Sequence, residues 1–201
     1  MNKSTKKQST EAQELEKSYQ LPEIVRQRQH TINKLSLKNG EQILDVGCGV
    51  GFLSFEIALL IGDSGKIYGI DKNSEMIVHA KKRCESLHTA KFSEAYADDL
   101  PFQEASFDAV CCTQVLLYVN DVAKVLSEIR RVLKPAGRII IVETDWRGLV
   151  LNSDYDSTTR KIFSAWDDSV PSPNLPVRLG SLLIDSGFFN VDVEPIAILN
   201  T

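Results

Sequence analysis

Apolar residues recur along this chain in two alternating rhythms. Short, nearly unbroken runs such as Gln42–Val46, Lys66–Asp71, Phe107–Cys112 and Arg138–Glu143 read as strands buried on both faces. Ala90–Ala95 is a weaker third strand. Between them, apolar positions fall at helical spacing, most regularly at Val122, Val125, Leu126, Ile129, Val132 and Leu133 after a cap at Asn120 or Asp121. Pro135 and Gly137 end that helix. Earlier helices are predicted over Pro22–Leu37, Phe52–Ile61, and from Asn73 or Ser74 through Met76, Ile77, Ala80 and Cys84. Two more, about Thr158–Trp166 and Pro176–Ser186, precede a last strand over Val191–Leu199. Strand alternating with helix predicts an α/β fold with a mainly parallel sheet and crossover helices.

The 201 residues suit one domain. Residues 1–18, polar and holding Lys3, Lys6 and Lys7, read as a tail, and 19–201 as the domain. Within it, 19–40 carries the N-terminal helix, 41–146 the core, 147–188 an insert of cap helices, and 189–201 the last strand. Apolar residues make up 43% and charged residues 25%, as in ordinary globular proteins, which argues against disorder. A net charge of −4 with no basic cluster beyond the tail argues against a nucleic-acid partner. No apolar stretch is long enough for a membrane span and no signal peptide is visible, so a cytoplasmic location is expected. Cys48, Cys84, Cys111 and Cys112 lack zinc spacing; reduced core thiols and no metal are expected, with Cys111 and Cys112 on opposite strand faces.

Candidate chemistry centres on Asp45-Val46-Gly47-Cys48-Gly49-Val50-Gly51, a glycine turn leaving the first strand and entering a helix. Such a turn lets backbone approach a ligand beside a helix N-terminus. Dinucleotide dehydrogenases need a glycine where Phe52 stands, which argues against a nicotinamide oxidoreductase. The segment resembles motif I of the class I S-adenosylmethionine-dependent methyltransferases. Further motifs follow in order: Ile67-Tyr68-Gly69-Ile70-Asp71, Leu100-Pro101-Phe102, Ser106 to Val110, and Ile129 to Arg138 with Ala136 where glycine is commoner. The resemblance, closest to the small-molecule, ubiquinone/menaquinone-methyltransferase-like branch, runs from about Leu21 to Glu143. It implies a Rossmann-like, doubly wound sheet and S-adenosylmethionine as cofactor.

Carried onto this sequence, the resemblance assigns backbone at Gly47, Cys48 and Gly49 to the cofactor's methionine part, Asp45 to its amino group and Asp71, with neighbouring Lys72, to its ribose. Met76 would pack on the adenine face, or serve as a core stripe residue. Relatives place an acid where Tyr96 stands; either Asp98 reaches the adenine amine, or the Ala97 backbone and Tyr96 ring do. Thr113 and Gln114, after the fourth strand, complete the cofactor set. They stand where enzymes methylating amide or nucleobase nitrogens carry a Pro-Pro motif, so a small-molecule acceptor is expected. Acceptor contacts are expected among Arg28, Tyr118, Asp145 and Trp146; for Trp166 and Arg178 a packing or surface role is favoured. His30, His79 and His88 read as solvated, and no general base is identified.

The family's sheet has a further, antiparallel last strand, for which the sequence supplies no segment. The expectation is a truncated form, or a sheet completed by a second copy or another partner. That gap also keeps open a cofactor-binding module without turnover.

Overall fold

The computed structural model describes residues 12–198. In chain order the elements are α1 (residues 12–18), α2 (Pro22–Leu35), β1 (Gln42–Val46), α3 (Phe52–Leu60), β2 (Lys66–Asp71), α4 (Ser74–Arg83), β3 (Ala90–Glu94), β4 (Phe107–Thr113), α5 (Val122–Val132), β5 (Leu133–Val142), α6 (Asp156–Asp167) and α7 (Leu175–Asp185). Single 3-10 turns cover Leu116–Tyr118 and Trp146–Gly148. Five parallel strands pair in the order β3-β2-β1-β4-β5. The winding reverses between β1 and β4, which opens a crevice at the carboxyl rim, the place where such sheets bind ligands.

Period-two alternation sorts the core into two layers. Ile43, Ile67, Ala109 and Cys111 face α2 and α3, where Ile32, Leu35, Leu53 and Ile57 meet them. Leu44, Val46, Ile70, Val110 and Cys112 face the other way, onto Val125, Leu126, Ile129 and Val132 of α5, with α7 adding Leu175 and its flanking leucines. Both faces of β1 and β4 are therefore buried, and these strands have no polar side to alternate. Asn73 caps α4 by accepting from the Glu75 amide at 2.9 Å, and Asp121 caps α5 by accepting from Lys124 at the same distance. All four cysteines are free and buried, with Cys111 and Cys112 in opposite layers.

Three expectations are corrected. β5 begins at Leu133, directly from α5, and ends at Val142, one residue before Glu143. Leu133 pairs with Phe107 and Arg138 with Ala109, so Lys134–Gly137 is accommodated as an irregularity inside the strand. Pro135 disfavours helical geometry at Lys134, which is why α5 stops there. Residues 191–198 form no strand. Pro195 cannot donate to a ladder, and Glu194 is held by Lys34 (2.7 Å) and His30 of α2. That segment therefore crosses α2 instead of pairing with β5. Leu199 lies outside the described residues, as do Lys3, Lys6 and Lys7. The 1–18 tail is helical over residues 12–18, with Ala12 fully buried. The polar composition hid a short apolar stripe at Ala12, Leu15 and Tyr19.

Ala136 adopts φ 60° within the β5 irregularity, a left-handed conformation in which its Cβ crowds the following carbonyl. Ala136→Gly is expected to stabilise the fold by about 1 kcal/mol in urea denaturation, with an unchanged m-value.

Candidate active site

The glycine turn is fixed by its own backbone. The amides of Gly47 and Cys48 both donate to the Ile70 carbonyl at 2.8 Å, which joins the ends of β1 and β2. Gly47 has φ 71°, and a Cβ there would lie 2.2 Å from a Val115 methyl; at Gly51, φ 83°, it would meet the Ala80 Cα at 2.9 Å. Only glycine fits either place. The Gly49 amide donates to Asp71 Oδ2 at 3.0 Å, and the Asn73 amide donates to Asp71 Oδ1 at 2.9 Å. Each Asp71 oxygen thus spends one lone pair on backbone and keeps another, a donor set that fits a vicinal diol.

Asp45 lies underneath, 2% exposed. Ser54 Oγ donates to its Oδ2 at 2.5 Å and the Cys111 thiol lies 3.5 Å from its Oδ1. Burial pushes its carboxyl up to about 6 against the pull of those bonds. When ionised, Asp45 places negative potential below a turn that already carries Asp71, which suits a cationic ligand group.

α1 covers this floor. Ala12 packs on Val50 and Met76, and Met76 is 4% exposed beneath it. Glu16 pairs with Arg83 at 3.0 Å and faces His79, while Arg83 also donates to the Val50 carbonyl and stacks over Phe52 at 3.5 Å. Tyr19 puts its hydroxyl 3.7 Å from where a Gly49 Cβ would stand. Burial, then Asp45 and Asp71, raise its phenol above the ordinary value, so the hydroxyl remains a donor facing two carboxylates. Arg28 is committed to structure: it donates to Glu56 at 2.7 Å and to the Tyr19 carbonyl at 3.0 Å.

Of the residues expected at the adenine, Ala97 packs against the core, Tyr96 is 61% exposed, and Asp98 accepts from Lys124 at 3.3 Å. Lys72 is exposed beyond Asp71. At the ends of β4 and β5, Gln114 adopts φ 57° and accepts from the Thr144 hydroxyl at 3.0 Å. Glu143 Oε1 accepts from the amides of Val115 (3.0 Å) and Leu116 (2.7 Å), fixing the loop after β4. Three enclosed polar atoms have no partner there: Thr113 Oγ1, Glu143 Oε2 and Trp146 Nε1. The Trp146 and Trp166 rings lie 4.6 Å apart and, with Leu149, Ile162 and Phe163, line an apolar recess of about 100 Å³. Asp145 caps the 3-10 turn by accepting from Arg147 and Gly148, Tyr118 is half-exposed near Tyr19, and Arg178 is exposed on α7.

Residues 37–172 match the family described as methyltransferase domain. The chain belongs to that family. This methyltransferase domain is 33% identical over 185 residues to a demethylmenaquinone methyltransferase of Bacillus mycoides, covering 84% of this chain and 78% of that one. It is 32% identical to an uncharacterized 37.1 kDa transposon protein of Streptomyces fradiae, covering 82% of this chain and 48% of that protein. The chain thus spans about half the length of some relatives it matches. A SAM dependent methyltransferase from Aquifex aeolicus has the same fold at TM-score 0.64 and 21% identity, over 80% of this chain and 78% of that one. A [4+2]-cyclase matches at TM-score 0.55 and 30% identity, over 59% and 44%. The cofactor of the family is S-adenosylmethionine.

Sequence reasoning missed Tyr19 and Glu143 in this methyltransferase domain, and favoured a packing role for Trp166. For Glu143 a signal existed: an acid closing an apolar strand, as Asp71 closes β2. For Tyr19 it was the spacing from Ala12 and Leu15.

Because the Asp45 carboxyl is raised above its unfolded value of about 3.8, native protein holds that proton more tightly than unfolded chain. Its contribution to stability is therefore greatest below about pH 4 and is lost as pH rises to about 6, a loss of about 3 kcal/mol. Asp45→Asn should lack that fall. The difference between the wild-type and variant urea-denaturation stabilities, plotted from pH 4 to 7, checks it, and a flat difference would refute the assignment.

Proposed function

We propose that this chain transfers a methyl group from S-adenosylmethionine to a small-molecule acceptor. The observation carrying the reading is Asp71, one of whose oxygens accepts from Gly49 in the glycine turn and the other from Asn73 at the start of α4, leaving each with further accepting capacity. Bound S-adenosylmethionine supplies an activated methyl group on a cationic sulfur. The protein's own work is then to bind, align and exclude water. In this reading Asp71 and Lys72 attend the ribose, and Gly47, Cys48, Gly49, Thr113 and Gln114 the methionine part, with Asp45 adding favourable potential for its ammonium. Met76, Tyr96, Ala97 and Asp98 border the adenine. α1, with Tyr19, closes over the glycine turn and keeps water from it.

A small, apolar acceptor is supported by the recess beside Trp146 and by relatives named for demethylmenaquinone. The net charge of −4 argues against nucleic acid as acceptor. No helix among the described residues is long and apolar enough to cross a membrane. Four free, buried cysteines support a reducing, cytoplasmic setting. The outer edge of β5 carries no strand among the described residues, which supports completion of the sheet by a second copy or a further C-terminal segment. A second reading, cofactor binding without methyl transfer, is favoured by the resemblance to a [4+2]-cyclase at 30% identity. Turnover of labelled methyl donor with a panel of small acceptors separates the two.

Asp71→Ala is expected to weaken S-adenosylhomocysteine binding by about 1.5–3 kcal/mol in calorimetric titration, the worth of hydrogen bonds to a charged group. Wild-type affinity in that variant would remove Asp71 from the ribose and the reading with it.

A further inference from the structure

A helical turn leaves its first amides without partners inside the turn. Where β4 ends, Gln114 at φ 57° swings the chain into the 3-10 turn Leu116–Tyr118, and Val115, which stands at the cap position, has no side-chain oxygen to serve it. The cap comes from another strand. Glu143, one residue past β5, accepts from the Val115 amide at 3.0 Å and the Leu116 amide at 2.7 Å, both through Oε1. Leu116 and Leu117 are fully buried in the layer beneath α5, so the turn is wedged into the core on one side and tied to Glu143 on another. Elsewhere it leans on the glycine turn. A Val115 methyl sits so close to Gly47 that a Cβ there would lie 2.2 Å from it. Contacts thus run without a break from Glu143 Oε1 through Val115 to Gly47, joining the end of β5 to the turn after β1.

We infer that Glu143 is a positioning residue for the cofactor, acting through Val115 to hold Gly47 and the glycine turn in the binding geometry. This deepens the methyltransferase reading and rests on it. Gly47 has φ 71°, and a residue without a side chain does not choose that conformation unaided; its neighbours must select it. The Ile70 carbonyl does so from β2, accepting from the Gly47 amide at 2.8 Å, and Val115 does so by packing against the place of the missing Cβ. A carboxylate suits the far end of the chain of contacts because charge-assisted bonds to amides are short and strong. Burial pushes the Glu143 carboxyl up to about 7, against the pull of the Leu116, Val115 and Leu117 amides, which favour the ionised form. Glu143 need not touch the cofactor. Its contribution is a turn already shaped before the ligand arrives, which lowers the ordering cost of binding.

Calorimetric titration of S-adenosylhomocysteine at about pH 8, where the Glu143 carboxyl is largely ionised, reads the effect. Glu143→Ala is expected to bind about tenfold more weakly than wild type, and Val115→Ala about threefold more weakly. Both act on Gly47 along one route, so the double variant should also bind about tenfold more weakly, rather than about thirtyfold, the product of two independent losses. Glu143→Gln keeps an accepting oxygen at the same reach and should restore affinity to within about threefold of wild type. A Glu143 that only stabilised the fold would lower the urea midpoint of Glu143→Ala and leave these affinities unmoved. Wild-type affinity in Glu143→Ala, or losses that multiply in the double variant, would overturn the inference. If Glu143→Ala does not fold, the other two single variants decide: unchanged affinity in Val115→Ala, or a loss of about tenfold or more in Glu143→Gln, overturns it equally. Failure of wild-type protein to bind S-adenosylhomocysteine would instead overturn the cofactor reading, and this inference with it.

Discussion

Parallel strands deliver their carboxyl ends to one rim, and the peptide groups that leave that rim have no ladder to join. In this protein one carboxylate takes up that burden. Asp71 accepts from Gly49, in the turn after β1, and from Asn73, at the start of α4. Its two bonds link two strand ends and a helix start that are far apart in sequence. The Ile70 carbonyl repeats the link through Gly47 and Cys48. Close approach of the chains follows, and with it the requirement for glycine at positions 47 and 51, where a Cβ would collide with Val115 and Ala80. The close-packed floor that α1 covers is a consequence of those constraints.

A floor made this way is also electrically biased. Asp45 lies under it and Asp71 at its edge, and Tyr19 closes over it with a phenol whose pKa is raised first by burial and then by the two carboxylates. The covering helix α1 is not anchored by a large apolar face. Glu16, paired with Arg83 and facing His79, does much of the fastening, with Ala12 filling the contact to Met76 and Val50. Half-exposed ion pairs of this sort are worth little individually.

The sheet was legible in the sequence because its strands are buried on both faces. β1 and β2 have the bounds that their apolar runs imply, and side-chain chemistry narrowed the two helix caps to Asn73 or Ser74 and Asn120 or Asp121, of which Asn73 and Asp121 are the caps. The elements misread were those whose fate is decided by distant partners. Val191–Leu199 has the composition of a strand, but Glu194 is drawn to Lys34 and Pro195 cannot enter a ladder. Residues 12–18 look like a solvated tail until Arg83 and Met76 are brought beneath them. The turn and both of its acids could be found by spacing. Tyr19 and the pairing of Trp146 with Trp166 required three-dimensional neighbours, since nothing local distinguishes those residues from packing aromatics.

Asp45 and Glu143 show how the same buried carboxyl can serve opposite ends. Both lie at the carboxyl rim, and burial raises both. Each oxygen of Asp45 has a protein group against it, Ser54 on one side and Cys111 on the other, so the residue is complete as it stands. Glu143 has two backbone amides on one oxygen and none on the other. A protein that only needed the loop after β4 held could do so with an amide side chain, at no cost in buried charge. The carboxylate at that position holds the loop with one oxygen and leaves the other without a protein partner, and there it departs from Asp45.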